Sequence, residues 1–573
     1  MTTELTRSFN TIGICKPLEH YMIPAIPRVP DINKMIDNKY FFVLHAPRQS
    51  GKTTCLTALT DKINSEGKYY ALNCSLATMR NTRDDEKAMA LVVSHINAGL
   101  RSSKVVELRR LAYIFNSSPY MTDPGTKVRF LLNDLCQALD RELVVFFDEA
   151  DCLHEDPLVM FLGQIRDGYL YRTGDPAAWF PRAMALVGMR DIKDYLSRVR
   201  PEAESTGYAS PFNVKSKSLS LDDFTWEEIG DLYGQHTAET GQPFEPEAVE
   251  RAWHWTEGQP WLVNALAKDI IVERFRNDYS RPITGADVDL AAYDMLLRGE
   301  THFASLMERL KEPRVRKVID PVIAGDASLP EGVTAEDIGY VIDLGLLKTD
   351  SDITVSLRPS NPIYGELIAD AISWDIKKRV PLHLAGRWMD GTRLDMDGLL
   401  RAFQVYWSEN SEFNEKPKSK DGSPPSPIGG KIGWSLDDTA LLDKHDIPPE
   451  ILQIIRAHLT GFGRESFPHI VLFAFLQRVT NGGAKVHRNY ALGRSMVDIC
   501  AIYKDVRYPV ELKIKGVQAL EKSLEQLSGY MDKCQSLAGW LVVFDKDSEK
   551  PWSEKITWDT VDLGDKTIRL VGC

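Results

Sequence analysis

Short apolar runs alternate with longer mixed segments over the first 225 residues, the pattern of a parallel β-sheet covered by helices. Strands are predicted at 41–44, 69–73, 143–147 and 183–188. The run at 143–147, Leu-Val-Val-Phe-Phe, contains no polar residue, as expected of a strand that is buried on both faces. The N-terminal part of the chain is therefore predicted to be an α/β domain.

Helical periodicity replaces the strand signal from residue 226 onwards. Thr225 followed by Glu228 is the pattern of a capping box at a helix start. Further helices are predicted at 314–324 and 335–344, and the alternating run 353–357 follows them. Helices followed by a short pair of strands are typical of a winged helix.

The clearest linker of the chain is the segment 416–427, which combines Pro, Ser, Gly and charged residues without apolar periodicity. Beyond it, strands are predicted at 495–503, 508–513 and 540–544, with a helix at 518–534, which makes a mixed α/β domain. The predicted domains are a core at 1–225, a helical lid at 226–300, a winged-helix domain at 301–380, a helical connector with a Pro/Ser/Lys linker at 381–433, and a C-terminal domain at 434–573.

Composition places this chain among globular proteins of several domains. It has 573 residues, of which 43% are hydrophobic and 26% charged. Its formal net charge of -12 argues against a protein that coats nucleic acid by bulk charge, so any such contact requires a local patch or a metal site.

The sequence contains no membrane-spanning, secretory or disulfide pattern. The longest apolar stretch, 470–476, is far shorter than the roughly 20 residues of a membrane helix and is predicted to be a buried helix. The first residues lack the apolar segment of a signal peptide. Eight cysteines form no Cys-x-x-Cys pair, so they are interpreted as reduced core residues. We therefore expect a cytoplasmic protein without membrane contact.

The segment 46–54 reads Ala-Pro-Arg-Gln-Ser-Gly-Lys-Thr-Thr and directly follows a predicted strand. A phosphate-binding loop needs backbone N–H groups at a helix N-terminus, a flexible turn, a lysine for the terminal phosphates and a hydroxyl for magnesium. Gly51, Lys52 and Thr53 supply the last three in order, while Ala46 stands where a first glycine is usual. The predicted nucleotide contacts are Ala46, Gln49, Ser50, Gly51, Lys52, Thr53 and Thr54.

A second element of the same chemistry is the pair Asp148-Glu149 at the end of the apolar strand 143–147. Asp148 is predicted to hold magnesium together with Thr53, and Glu149 to polarise the attacking water. An apolar strand that ends in two acids is also a common surface turn. The phosphate loop upstream favours the catalytic interpretation.

These motifs resemble the P-loop ATPases related to the AAA and STAND groups, in which a core is followed by a helical lid and a winged helix. The resemblance also includes Val187-Gly188-Met189-Arg190-Asp191, the turn 258–261 and Asn361-Pro362-Ile363-Tyr364, and covers about two thirds of the chain. It implies an ATP site with Mg²⁺ in which Arg190 senses phosphate and the turn 258–261 closes the lid. A solvated Arg190 and a Trp261 packed in the lid core are the ordinary alternatives.

Two carboxylates and a lysine mark the C-terminal domain. Glu511 and Lys513 share one face of a predicted strand, because side chains alternate along strands. Asp498 lies on the preceding strand, and a turn near 504–507 would fold the two into a hairpin. Such a trio can bind magnesium and hold a water against a phosphodiester, with Lys513 orienting the nucleophile. A solvated strand edge with alternating charge is the alternative.

This arrangement resembles the PD-(D/E)XK nucleases, with Val497-Asp498 and Glu511-Leu512-Lys513 as the matching residues. The resemblance implies a restriction-endonuclease-like fold and a magnesium site formed by Asp498 and Glu511. Gln526 and Tyr530, at i and i+4 of the predicted helix, match residues found in several branches of that superfamily. Glu465 corresponds to an additional metal-binding acid of many members, although an acid at a helix N-terminus is equally ordinary.

The combined hypothesis is an ATP-dependent or ATP-gated, Mg²⁺-dependent nuclease that acts on DNA, with RNA left open. Resemblance to fused proteins of this kind implies a role in prokaryotic defence or mobile-element biology. The alternative is a nucleotide-dependent switch or assembly ATPase whose C-terminal domain only binds nucleic acid or a partner. A homo-oligomer is compatible with either.

Overall fold

The computed structural model describes residues 7–115, 123–153, 155–174, 178–189, 215–298, 301–324, 332–349, 357–377, 388–389, 393–409, 466–480, 483–492, 495–515, 520–545 and 550–573. It divides into two units, Met1–Tyr293 with Gly339–Leu346, and Asp294–Ile338 with Leu347–Cys573. The five domain boundaries expected from the sequence stay a prediction. Elements are numbered in chain order below.

The first unit contains a sheet of five parallel strands in the spatial order β2-β3-β4-β1-β5. Its strands are β1 (Phe41–His45), β2 (Tyr70–Ser75), β3 (Leu143–Asp148), β4 (Ala183–Gly188) and β5 (Lys215–Ser220). The four predicted strands are confirmed within two residues. β5 escaped prediction because its sequence, Lys-Ser-Lys-Ser-Leu-Ser, is mostly polar, which an edge strand tolerates.

Helices cover both faces of this sheet and continue beyond it. They are α1 (Ile32–Asp37), α2 (Lys52–Glu66), α3 (Asp85–Ser102), α4 (Val106–Phe115), α5 (Lys127–Ala138), α6 (Glu155–Gly174), α7 (Trp226–Thr240), α8 (Pro246–Thr256), α9 (Pro260–Lys268) and α10 (Gly285–Arg298). The capping box predicted for α7 is present, since Thr225 and Glu228 each accept the other's backbone N–H.

Strand β1 shows why the sheet is buried on both faces. Phe41 and Val43 belong to one apolar cluster, which contains side chains of α3, α5 and α6. Phe42 and Leu44 belong to the other, which contains side chains of α1 and α2. Successive residues of β1 therefore pack against helices on opposite faces of the sheet. Because both faces are buried, positions 41–44 of the strand are all apolar.

The second unit begins with helices and a small hairpin. The helices from residue 301 onwards are α11 (Thr301–Arg309), α12 (Pro313–Ala324), α13 (Ala335–Asp343), α14 (Pro362–Lys377), α15 (Met396–Glu409), α16 (Ser466–Thr480), α17 (Leu520–Cys534) and α18 (Trp552–Lys555). The residues of α13 from Gly339 onwards belong to the first unit. Strands β6 (Leu347–Thr349) and β7 (Leu357–Pro359) pair antiparallel. Of the predicted strand 353–357, only Leu357 lies among the described residues.

A mixed six-stranded sheet forms the C-terminal part, in the order β12-β13-β11-β10-β9-β8. Its strands are β8 (Lys485–Leu492), β9 (Ser495–Tyr503), β10 (Val506–Ile514), β11 (Ala538–Phe544), β12 (Thr557–Leu563) and β13 (Lys566–Gly572). β10, β11 and β13 are parallel to one another. The apolar stretch 470–476 is buried within α16, as predicted. The strands β8, β12 and β13 were not predicted.

Helix α15 lies within the predicted connector, yet it packs on the C-terminal sheet. The amide of Gln404 donates to the carbonyl oxygens of Gly572 and Thr557 at 2.6 and 2.9 Å. The indole of Trp540 donates to Asp397 at 2.7 Å. The linker 416–427 lies outside the described residues. Across the part of the chain that is described, no helix is both long and apolar enough to cross a bilayer.

Candidate functional sites

The segment 46–51 forms a loop between β1 and α2 at the carboxyl end of the parallel sheet. Two of its residues adopt left-handed backbone conformations, Gln49 with φ 60° and Gly51 with φ 95°. Gly51 caps the N-terminus of α2, and its φ is one that residues with a Cβ rarely adopt. The hydroxyl of Ser50 closes the loop by donating to the carbonyl oxygen of Pro47 at 2.9 Å. The loop therefore has the curl that a phosphate cradle requires.

Lys52 folds back over this loop. Its ammonium donates to the carbonyl oxygens of Ala46 and Pro47, both at 2.7 Å. Burial is the main reason that the pKa of Lys52 falls to about 8, against the opposing charges of Asp151, Asp148 and Glu149. The lysine is thus held by neutral oxygens beside three acids.

Asp148 and Thr53 meet although 95 residues separate them in sequence. The hydroxyl of Thr53 donates to Oδ2 of Asp148 at 2.8 Å, and the backbone N–H of Glu149 donates to Oδ1 at 3.0 Å. Strands β1 and β3 flank β4, so the ends that carry these residues lie at one edge of the sheet. Burial raises the pKa of Asp148. A hydroxyl and a carboxylate in contact are a donor set that suits Mg²⁺.

Glu149 follows at the strand end in a left-handed conformation, with φ 55°. A glutamate in that region is uncommon and indicates a constrained backbone. Burial, then the neighbouring Asp148 and Asp151 carboxylates, raise the pKa of Glu149. The structure therefore brings Lys52, Thr53, Asp148 and Glu149 together, whereas Arg190 lies outside the described residues.

Two parts of this site gave no signal in the sequence. Arg28, of which only 6% is exposed, donates through Nη2 to the carbonyl oxygen of Ser50 at 3.0 Å and through Nε to that of Asp222 at 2.9 Å. Near the N-terminus, the backbone N–H of Cys15 donates to Oγ1 of Thr54 at 3.2 Å. Neither feature lies in a periodic segment, so only the fold reveals it.

The same N-terminal segment reaches helix α9, which belongs to the predicted lid. The indole of Trp261 donates to the carbonyl oxygen of Thr11 at 2.9 Å, and only 9% of Trp261 is exposed. Gln259 caps α9 by accepting the backbone N–H of Leu262 at 2.7 Å. Trp261 is therefore a buried residue at the start of α9, which agrees with the packing alternative for this residue.

A further contact links the start of the loop to residues 339–346. Nδ1 of His45 lies 3.4 Å from Oδ1 of Asp343. Gly345, with φ 75°, lies so close to the Pro47 ring that a Cβ there would be 2.7 Å from it. A side chain at position 345 would therefore push against the phosphate loop.

The C-terminal carboxylates come together on the hairpin of β9 and β10, as predicted. The hairpin turn is at Lys504 and Asp505, which both have left-handed φ values. Oδ2 of Asp498 accepts the backbone N–H of Leu512 at 2.8 Å. Oε1 of Glu511 accepts Lys513 Nζ at 2.7 Å, and 2% of the Glu511 side chain is exposed.

The second oxygen of Glu511, Oε2, is buried and accepts no hydrogen bond from the residues that the structure describes. Burial, then the Asp498 carboxylate, raise the pKa of Glu511 to about 8. Burial also raises the pKa of Asp498, against the effects of Lys513, the Leu512 N–H and Arg488. Two adjacent buried carboxylates with one uncompensated oxygen suit a divalent cation.

Neighbouring residues complete this second site. The amide of Gln526 donates to the Tyr530 hydroxyl at 2.7 Å, and Tyr530 packs against Val497 and Cys500. Arg488 on β8 was not singled out from the sequence, yet its charge acts on Asp498, and its Nε and Nη1 atoms are buried without a described hydrogen-bond partner. Glu465 lies outside the described residues, among which no group of three or more His, Cys, Asp or Glu is placed to hold a metal.

Two arginines of α12 and the lysine before it are paired with acids. Arg314 pairs with Asp337, and Arg316 with Asp320. Lys311, just before the helix, pairs with Glu308. These three charges are therefore compensated within the chain.

Neither a family model nor a curated protein sequence matches this chain. Among solved structures it is similar to the Walker-type ATPase of Pyrococcus abyssi, with 15% identity over 63% of this chain and 99% of the other and a TM-score of 0.44. The ORC2 protein of Aeropyrum pernix in ADPNP–ADP complexes shares 14% identity over 60% and 91%, with a TM-score of 0.36.

The RuvB Holliday junction branch migration motor of Thermotoga maritima is similar at 14% identity over 59% of this chain and 90% of the other, with a TM-score of 0.30. TM-scores below 0.5 leave any functional inference to rest on the residues of this chain. Those residues form a phosphate-type loop with a hydroxyl–carboxylate pair on a parallel sheet, and a buried carboxylate pair on a mixed sheet.

Proposed function

We propose that this protein is a nucleotide-dependent switch that binds and hydrolyses ATP in its first unit, and whose C-terminal domain binds nucleic acid. The observation that carries the ATPase assignment is the bond between Thr53 and Asp148 beside Lys52 and Glu149. A hydroxyl, a carboxylate, a lysine and a second acid at the carboxyl edge of one parallel sheet are the groups that nucleoside triphosphate hydrolysis needs.

Each residue has a defined task. Lys52 exchanges the carbonyl oxygens of Ala46 and Pro47 for the oxygens of the terminal phosphates. Thr53 and Asp148 would hold Mg²⁺, which would supply neutralisation of charge on those phosphates. Glu149, whose pKa is raised by burial and by its acidic neighbours, accepts a hydrogen bond from the attacking water and orients it.

Substitution of Lys52 by Ala tests the assignment. Release of phosphate from ATP should fall to background, because no other ammonium lies in the loop, while thermal unfolding without nucleotide stays cooperative. Lys62→Ala is the matched control, since Lys62 lies on the same helix α2 with 41% of its side chain exposed, and this variant should hydrolyse ATP at the wild-type rate. Hydrolysis that persists in the Lys52 variant would place the ATPase site elsewhere.

A second candidate function belongs to the C-terminal domain: Mg²⁺-dependent cleavage of DNA, gated by the nucleotide state of the first unit. The specific observation in its favour is the buried pair of Asp498 and Glu511 with the uncompensated Oε2 atom. With Mg²⁺ bound, the metal would activate a water. Asp498 and Glu511 would hold the metal, and Lys513 would move from Glu511 toward the attacked phosphate.

One assay separates the switch from the nuclease. Linear, circular and single-stranded DNA, with an RNA strand as a further arm, are incubated with the purified protein and Mg²⁺, with and without ATP. The nuclease hypothesis expects cleavage that Asp498→Ala abolishes and ATP modulates. Absence of cleavage from a protein that hydrolyses ATP and retains DNA in a filter-binding assay would leave the binding role of the domain.

A further inference from the structure

A cavity of about 370 Å³ opens in the C-terminal sheet beside the carboxylate pair. It lies where the parallel strands β10, β11 and β13 end, since Ile514, Val543 and Gly572 all line it. The carboxyl edge of parallel strands is the usual place for ligands in α/β sheets. The volume is within the range of about 300–1,000 Å³ for small-molecule sites.

Some of the charged side chains that line this cavity have partners of opposite charge, and others have none described. Asp545 accepts hydrogen bonds from Lys515 at 2.9 Å and from Lys550 at 3.3 Å, so one carboxylate serves two ammonium groups. Lys513 bonds to Glu511. Glu554 is exposed to solvent. The acids near the cavity are therefore engaged by other lysines or hydrated.

Lys555 is the cation that remains. It lines the cavity, only 6% of it is exposed, and its ammonium lies 4.9 Å from the centroid of the Trp552 ring. Among the described residues, no hydrogen bond or ion pair engages that ammonium. The Lys555 ammonium is therefore available to an anionic group that enters the cavity.

The remaining wall is apolar. Leu541, Val543 and Leu570 lie on neighbouring strands and face the cavity, and Leu520 of α17 closes its other side. A ligand that fits therefore combines an anionic group for Lys555 with a flat or apolar body. Lys513 belongs both to the cavity and to the carboxylate site, so the two are contiguous.

We propose that this cavity binds a nucleoside monophosphate group, with the phosphate against Lys555 and the base against the apolar wall. The choice of a nucleotide among phosphate esters rests on the proposed nucleic-acid role of the same domain. Both a free mononucleotide and the 5′-phosphorylated end of a strand carry this chemistry.

The test uses the whole 573-residue chain with Lys52→Ala, so that nucleotide binding at the loop 46–54 does not contribute to the measured signal. AMP titrated into it without Mg²⁺ should give saturable binding in a calorimeter, and the further substitution Lys555→Met should weaken that binding at least tenfold. Lys504→Met is the matched control, because Lys504 also has its ammonium near an aromatic ring, 5.7 Å from the Tyr503 centroid, but lies in the exposed hairpin turn.

Thermal unfolding of the variants distinguishes loss of AMP binding from loss of folding. Lys555→Met keeps an unbranched apolar side chain and removes no described hydrogen bond or ion pair, so it should leave the thermal midpoint unchanged. Val543→Phe should block the cavity by volume while Lys555 is intact. AMP binding that survives both substitutions, or no AMP binding at all, overturns the proposal, and neither result depends on whether the protein hydrolyses ATP or cleaves DNA.

Competition identifies the source of the nucleotide. A short 5′-phosphorylated oligothymidylate that displaces AMP, when its 5′-hydroxyl counterpart does not, assigns the cavity to strand ends. Displacement by free nucleotides alone assigns it to a soluble mononucleotide. Either result supports the site, whereas equal displacement by both oligonucleotides would show that the phosphate is not recognised and would overturn it.

Discussion

The phosphate loop and the C-terminal carboxylate site use the same residue types but distribute their charges differently. Lys52 donates to neutral carbonyl oxygens, and Asp148 accepts from a hydroxyl and a backbone N–H. In the C-terminal site Lys513 donates directly to Glu511. The first site thus keeps its cation and anion apart, as the proposed binding of phosphate together with Mg²⁺ requires. The second places its lysine directly on one carboxylate, and the Oε2 atom of that carboxylate stays without a described hydrogen bond.

The largest effect is expected from Asp148→Asn. Asparagine can keep a hydrogen bond to Thr53 but loses the charge, so ATP hydrolysis should fall by roughly hundredfold or more while the fold is retained. Steady-state phosphate release measures it, with the exposed Asp167→Asn as the matched control. Hydrolysis at the rate of the control variant would mean that the charge separation in the first site has no catalytic purpose.

An intermediate effect concerns metal binding by the second site and pH. Since burial and Asp498 raise the pKa of Glu511 to about 8, a proton competes with Mg²⁺ below that pH. In the Asp148→Asn background, Mg²⁺ affinity should rise by about tenfold per pH unit up to about pH 8 and then level off. Calorimetric titrations of Mg²⁺ at a series of pH values on both sides of that pKa measure the slope. A Mg²⁺ affinity that does not change with pH would show that protonation of Glu511 does not compete with the metal, and the contrast drawn between the two sites would fail.

The smallest effect is on stability without metal. A carboxyl whose folded pKa is raised, as for Glu511, stabilises the fold fully below its ordinary pKa of 4.5, and that contribution is lost as pH rises to about 8. Glu511→Gln mimics the protonated acid at all pH values. The variant should therefore match the wild type at about pH 4 and exceed its unfolding free energy by about 1 kcal/mol or more at about pH 8.

Denaturant unfolding in the presence of a chelator measures this difference. Glu521→Gln, an exposed acid of α17 in the same unit, is the control and should show no such crossover with pH. A Glu511 variant that is less stable than the wild type at every pH would show that the charged carboxylate is stabilised in the fold, as in an ordinary ion pair.

The elements that could be predicted from sequence are those whose pattern and local chemistry agree. The strands 143–147 and 183–188 were found because burial on both faces demands continuous apolar residues. The loop 46–54 was found because phosphate binding fixes residue types at consecutive positions. β5 was missed because a polar edge strand has no such pattern, and β8 because its Lys-Val-His-Arg-Asn-Tyr sequence is mostly polar as well.

The residues that were missed act through tertiary contacts. Arg488 reaches Asp498 only because β8 pairs with β9, and Thr11 reaches Trp261 across 250 positions of sequence. No spacing rule brings such residues together. Arg190 and Glu465 remain predictions, because they lie outside the described residues.

Arg28 has a consequence for how the first unit opens. Its guanidinium binds the carbonyl oxygens of Ser50 and Asp222 and lies 4.7 Å from the centroid of the Phe224 ring, two residues before helix α7 begins. One side chain thus connects the loop 46–51 to the segment just before α7. In amide hydrogen exchange, the backbone around Ser50 and that around Asp222 should open together, with the same protection. Without the Arg28 side chain, the two segments should exchange independently.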